Sequence, residues 1–509
     1  MSESVGRKTR VAAAGLAAAL VAGVAGAIVT PAAPAQAIVA VAQQMTWIDS
    51  AAGTPLSNAM WDIDADILRN WGYTGQGVGV AMIDTGVAPV AGLTGGNVVN
   101  GPDLSFEGQD PAKRYVDLNG HGTHLAGIIA GKPNAKNTRN AEFQGGVAPG
   151  AKLTSVKVGS ANGAVDVSQV IAAIDWVVAH RNDDPANKIR VLELAYGTDG
   201  VQSPQLDPLA HAVENAWRAG IVVVVAGGND GGTTKLTNPA TDPYVLAVGA
   251  TDDLGNDDWT DDKLADFTSR GGAARRLDVA VPGRTILSLR APGSNADVTY
   301  PGARVGATLF KGSGSSQAAA LTAGSVALLL EAIPWLTNDQ VKYLLKATGW
   351  APKATLPGDE TIPVVDLIAA YHAKAYGATH WYPTLWTPQN LPSGTQTWPA
   401  STGTGTLEGA RGSIHVADGT VQLTGENDIF GPISTTAWAA ASSNQTAWVG
   451  GTWMGHDMTG TTWTTSPAGL TSWTGRAWSG RAWSGRAWSG STWSSISWQS
   501  AAWTAAHWN

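Results

Sequence analysis

Four polar residues sit where glycines and apolar runs leave room for chemistry: Asp84, His121, Asn229 and Ser316. Ser316 lies in Gly312–Gly324, a run of small residues that continues through Val326, Ala327 and Leu328. Glycines at its front resist regular structure, while the Ala and Leu behind them favour helix. The pattern predicts a tight loop opening into a buried helix with a serine at its start. A helix N-terminus offers free N–H groups and the positive end of the dipole, which suits a nucleophile whose reaction makes an oxyanion. The commoner role for such a serine is an N-cap on a core helix, so the other three residues have to decide. His121 falls between glycines in Asn119-Gly-His-Gly-Thr-His124, just before the apolar Leu125–Ala130. Asp84 ends an apolar run and reads either as an orienting acid or as a structural cap. Asn229, in Ala226-Gly-Gly-Asn-Asp-Gly231, either donates its amide to a ligand that the glycines let close in or simply makes a turn. Brought together, the four would supply nucleophile, base, orienting acid and oxyanion donor for acyl transfer.

The elements that must position them alternate. Val78–Ile83, Leu153–Val158, Val191–Leu194, Ile221–Ala226 and Tyr244–Ala250 are short apolar runs and predict buried strands. Val165–His180 and Leu206–Ala219 carry apolar residues at three- and four-residue spacing and predict helices. Strands apolar throughout, alternating with helices, predict a parallel sheet covered on both faces. In such sheets ligands bind beyond the carboxyl ends of the strands, which is where Asp84 and Asn229 fall.

The chain has 509 residues, enough for two or three domains. A net charge of −8 argues against a nucleic-acid partner, which would meet a basic face. With no cysteine there is no disulfide framework, thiolate metal site or Cys nucleophile. Arg7, Lys8 and Arg10, then the apolar Val11–Val29, then Ala35-Gln-Ala37 predict a secretory signal peptide over residues 1–37. No later stretch is long and apolar enough to span a bilayer. Leu391-Pro-Ser-Gly-Thr395 inverts the end of a wall-sorting signal and lacks its hydrophobic tail, so it is not read as an anchor.

In the order Asp84, His121, Asn229, Ser316 the chain resembles the subtilisin-like serine proteases over roughly residues 60–375. Val80-Ala-Met-Ile-Asp-Thr-Gly86, Gly120-His-Gly-Thr-His-Leu-Ala-Gly127, Ala226-Gly-Gly-Asn-Asp-Gly231 and Gly314-Ser-Ser-Gln-Ala-Ala-Ala-Leu-Thr-Ala-Gly324 resemble the family's aspartate, histidine, oxyanion and serine motifs. The resemblance implies an α/β fold, a subtilisin-like parallel sheet with helices on both faces. It implies Ser316 as nucleophile, His121 as general base and acid, Asp84 as its orienter, and Asn229 as oxyanion donor. It also implies a protein or peptide substrate laid along Leu194, Ala195, Tyr196 and Gly197 as an added strand, with Ala226, Gly227 and Gly228 as the far wall of the P1 pocket. His124 is read as structural, and no third ligand within reach supports zinc. No cofactor is needed for the chemistry; calcium is common in the family, but no acidic loop marks a site. Departures from the family pattern are Ser315 and Gln317 about the nucleophile, Ala320 in place of Pro, Glu193 in place of Asn and Ala195 in place of Ser. They bear on the packing of the helix start and on cleft shape.

Residues 38–59 read as a short N-terminal segment, and the roughly forty residues between Ala37 and the first strand show no folded inhibitory pro-segment of the size the family commonly carries. Trp61–Trp71 is predicted as the first helix of the catalytic domain, residues 60–375. Residues 376–431 read as a linker and a small β unit over Gly405–Gly431, and 432–509 as a tail. In that Gly/Ser/Thr/Trp-rich C-terminal extension Trp438, Trp448, Trp453 and Trp463 open a five-residue lattice that runs, through Arg-Ala-Trp-Ser-Gly units, to Trp508. Period five fits neither helix nor strand, so each unit must contain a bend. A stacked solenoid, a disordered adhesive tail and a surface-binding module all fit, the last two with cell-surface or self-association. As a separable appendage, residues 432–509 should be removable without loss of peptide cleavage. The function expected is a secreted serine endopeptidase; the alternative is a surface-binding or scaffold protein with a weak or silent protease domain.

Overall fold

The computed structural model describes residues 50, 52–108, 110–133, 143–232, 235–375, 393–418 and 421–457. The expected signal peptide and the lattice from Trp463 onward lie outside the described residues.

The main sheet has eight strands. They are β1 (Gly79–Asp84), β2 (Val98–Asp103), β3 (Lys152–Lys157), β4 (Ile189–Leu194), β5 (Val222–Ala226), β6 (Leu246–Asp252), β7 (Lys263–Leu264) and β8 (Val279–Pro282). Their order is β2-β3-β1-β4-β5-β6-β7, with β8 beside β6, and only β7 runs antiparallel. The five apolar runs of the sequence are β1, β3, β4, β5 and β6. β1 and β5 are buried at every position, as parallel strands with both faces covered must be. The chain leaves β1 toward β2 and β4 toward β5, in opposite directions. The crevice outside the carboxyl ends of these two neighbours is therefore the expected binding site of the fold.

The helices are α1 (Leu56–Asp62), α2 (Ala65–Asn70), α3 (His121–Ala130), α4 (Val167–His180), α5 (Pro208–Arg218), α6 (Asn295–Thr299), α7 (Ser315–Ala332), α8 (Asn338–Thr348), α9 (Leu367–Ala375), α10 (Leu407–Arg411) and α11 (Thr435–Ser443). The single helix expected over Trp61–Trp71 is broken in two, because Asp64 turns left-handed at φ 56°. α4 starts on a capping box of Asp166 with Gln169, and α5 on Asp207 with Pro208 at its first position. Met82, Glu193 and Val224 are lateral neighbours across β1, β4 and β5. Asp84 and Ala226, two residues on, share their face. Gly283 sits between the methyl groups of Ala250 and Ala318, so α7 covers this face. On the other face Trp176 of α4 meets Val156 around Gly101.

The C-terminal division needs correction. From residue 393 the described chain is docked on the catalytic body rather than linking or trailing. Gln396 Nε2 donates to Tyr244 O and the Tyr244 hydroxyl to Trp398 O. The segment expected as a β unit opens with α10 and, among the described residues, has only the two-residue ladders Ala417–Asp418 with Val421–Gln422 and Asn427–Asp428 with Gly431–Pro432. Past residue 432, α11 and a hairpin pack on α4 and α5. Buried Asp175 of α4 accepts the indole N–H of Trp438 at 2.8 Å, that of Trp453 at 2.9 Å and the Ser442 hydroxyl at 2.5 Å. Trp448 and Trp453 are direct partners across the Gly450–Gly451 turn. Here the five-residue spacing is a hairpin register: the bend lies between two Trp residues that share a face.

Candidate functional site

Asp84 is the last residue of β1 and His121 the first of α3. His121 Nδ1 lies 2.8 and 2.7 Å from the two carboxylate oxygens of Asp84. Asp84 Oδ1 also accepts the Thr85 backbone N–H at 2.7 Å. Two glycines allow the approach. Gly120 caps α3 at φ 108°, and a Cβ at position 122 would stand 2.1 Å from Gly86 O. Behind them sits Asp117, which the sequence reading missed. It accepts N–H groups of Asn119, Gly120 and Thr123 and the hydroxyls of Thr85 and Thr123. Thr85 Oγ1 in turn accepts the Gly122 N–H at 2.9 Å. The only local signal for Asp117 was an acid three residues before a glycine, a common turn pattern. His124 is fully buried with Nε2 3.1 Å from Phe310 O, and burial drives its pKa down to about 3. It is a neutral structural imidazole.

Ser316 is the second residue of α7, whose N-cap is Gly314 with no side-chain cap bond. Its hydroxyl is covered and makes no hydrogen bond within the described residues. The Asn229 side chain is oriented by its own acceptor: Oδ1 takes the Ser315 N–H at 2.8 Å, which leaves Nδ2 to donate elsewhere. A Cβ built on Gly314 would lie 3.4 Å from Asn229 Nδ2 and 3.7 Å from the Ser316 backbone N. Two donors thus flank one small space, but Gln317 Oε1 lies nearer to it, at 2.8 Å, so an oxyanion could sit there only with the Gln317 amide turned away. Gly228 N donates to Ser315 Oγ at 3.2 Å and ties the β5 loop to the same helix start.

Comparison with known proteins places the chain in a family. The subtilase family profile, Peptidase S8, matches residues 75–379. The chain belongs to the subtilase family. It is similar to Serine protease AprX of Bacillus subtilis (strain 168), 38% identical over 288 residues, 55% of this chain and 63% of that protein. Thus the match spans less than two thirds of AprX. Subtilisin Savinase of Lederbergia lenta is 33% identical over 56% of this chain and 88% of its own length. A solved cold-adapted subtilisin-like serine proteinase aligns with TM-score 0.44 and 28% identity over 58% of this chain and 90% of that one.

In this subtilase the positions expected to line the substrate differ in what they present. Leu194 is wholly buried at the end of β4, and Ala195 is 5% exposed. Gly197 packs on Thr237, whose side chain a Cβ would strike at 2.5 Å. The Tyr196 ring is buried, with Asp166, Arg411, Asp207 and Asp199 near its hydroxyl, so its side chain serves the core and the C-terminal segment. Ala226 is 6% exposed, Gly228 reaches Ser315 through its N–H, and a Cβ on Gly227 would strike Leu277. Among the described residues no three His, Asp or Glu gather to hold a metal. Lys157, the last residue of β3, sends its buried Nζ into the loop after β2, where it donates to Glu107 Oε2 at 2.8 Å, Val116 O at 2.7 Å and Lys113 O at 3.2 Å.

Glu193 faces α7 beside Met82, fully buried, with no hydrogen-bond partner for either oxygen among the described residues. Burial pushes its carboxyl well above the usual range, and the Asp84 charge adds to the rise. In the unfolded chain a glutamate ionises above about pH 4.3; in this site it stays protonated beyond that. Folding then takes up a proton, so stability is fullest below the unfolded value and falls as pH rises, by up to about 1.4 kcal/mol per pH unit. Glu193→Gln keeps the shape and removes the titration. Its melting temperature should gain on the parent as pH rises from about 5 to about 8; a gap that stays constant would contradict this.

Proposed function

We propose that the chain is a secreted serine endopeptidase that hydrolyses protein or peptide substrates through Asp84, His121 and Ser316. Ser316 Oγ attacks the peptide carbonyl while His121 takes its proton. Asp84 holds the imidazole by Nδ1 and stabilises the imidazolium that forms. Asn229 Nδ2 and the Ser316 N–H receive the oxyanion. The amine leaves with the proton from His121, and water, deprotonated by His121, then splits the acyl-enzyme. The single observation that carries the reading is the double approach of His121 Nδ1 to the Asp84 carboxylate at 2.8 and 2.7 Å. Secretion rests on the basic, apolar and Ala-Gln-Ala succession of residues 1–37. Among the described residues no helix is long and apolar enough to cross a membrane.

Asn229→Ala tests the assignment. Its amide would bind the oxyanion but not the ground-state carbonyl, so kcat should fall by about 10²–10³ with KM nearly unchanged. That magnitude is the one known for subtilisin. A loss below about threefold would remove Asn229 from the mechanism.

A further inference from the structure

The loops leaving the carboxyl ends of β3 and β4 stand on either side of β1, the strand that carries Asp84. An extended peptide running away from Ser316 along residues 194–197 would lie between them. The far end of that groove is spanned by the chain's own C-terminal segment. Arg411, at the end of α10 and 0% exposed, donates from Nε to Asp166 Oδ1 at 2.6 Å and from Nη2 to Asp166 Oδ2 at 3.3 Å. Asp166 closes the β3 loop and caps α4. On the β4 side the Thr198 hydroxyl donates to Ala410 O at 2.5 Å, the Val201 N–H to Gly409 O at 3.3 Å and the Ser413 N–H to Asp199 Oδ1 at 2.7 Å. One short segment therefore ties together the loops flanking the catalytic strand, and Tyr196 is buried beneath it.

The chemistry of the tie argues for placement rather than mere attachment. A fully buried ion pair loses its hydration, and recovers it only where geometry is fixed and the remaining donors are used. Arg411 meets both conditions: its other N–H groups reach the carbonyls of Gly425 and Asn427. Leu407, Ala410, Val416 and Ile429 join the main core, so the segment cannot swing aside without exposing them.

We infer that residues 406–418 and 421–429 form a fixed wall across the acyl end of the substrate groove, so that the enzyme grips only the few residues immediately before the scissile bond. The inference rests on the protease reading proposed above, with P1 between residues 194–197 and 226–228. Peptides with a constant P1 residue and leaving group, lengthened one residue at a time on the acyl side, test it with the full chain. kcat/KM should level off, gaining less than about twofold beyond the third residue before the scissile bond. A gain of about tenfold or more from the third to the fifth residue overturns the wall. Fluorophosphonate titration of each preparation separates the two failures. Titratable enzyme with steep length dependence overturns the wall alone, while enzyme with no titratable serine overturns the protease reading and this inference with it.

Discussion

Replacing Ser316 by alanine is expected to lower kcat for peptide hydrolysis by about 10⁶-fold, with KM and melting temperature little changed. The size is that measured for subtilisin, where the catalytic groups act as a unit; the direction follows from the site of this chain. A serine at a helix start invites a simpler account as an N-cap, and that account makes opposite predictions: a stability loss of about 1 kcal/mol and no loss of catalysis. The structure separates the two. Gly314 is the N-cap of α7, while Ser316 lies inside the helix with a hydroxyl that bonds nothing among the described residues. Removing one oxygen there leaves no broken bond behind, so stability should hold while rate collapses. Steady-state kinetics and thermal melting of the variant beside the parent check both halves.

Ending the chain at Ile433 is expected to destabilise the whole catalytic body. The cut removes α11 and its hairpin, and with them Trp438 and Trp453, each 1% exposed. Truncating a buried Trp costs about 3–5 kcal/mol. Two such losses approach the whole net stability of an ordinary domain, about 5–15 kcal/mol. Asp175 would also lose its three donors, two indoles and the Ser442 hydroxyl. The fair comparison is with a chain ending at Asp457, which keeps every described residue. The shorter chain should melt about 10 °C lower or more, or fail to accumulate in soluble form. A difference within about 2 °C would restore the view of a separable tail. Activity should follow stability, which reverses the expectation that residues 432–509 can be removed at no cost to cleavage.

Much of the site was legible because the fold makes it so. β1, β3, β4, β5 and β6 lie in a parallel sheet with both faces covered, so β1, β5 and β6 are written as nearly continuous apolar runs, while β3 is interrupted by Thr154 and Ser155 and β4 by Arg190 and Glu193. Each chemistry-bearing residue then follows a run or precedes a helix, marked by glycines that close approach requires. β2 escaped notice because it is an edge strand, Val98–Asp103, with partly exposed positions and an internal Gly-Pro. Asp117 escaped because its role is to accept five donors from neighbours, a role an acid in any turn could hold. The C-terminal segment was misjudged for a different reason. Its composition is that of a linker, and its burial depends on partners far away in sequence: Asp175 for Trp438 and Trp453, and Asp166 for Arg411. Tyr196 belongs to the same class, since only the docked segment turns its ring from cleft lining into core.

The most direct test of the central claim is covalent. A fluorophosphonate that reports on activated serines should label the parent chain at neutral pH with one adduct, and peptide mapping should place it on Ser316. His121→Ala should label far more slowly, because no base then takes the proton. Ser316→Ala should not label. Absence of any adduct on the folded parent, or an adduct that persists in Ser316→Ala, would contradict the account.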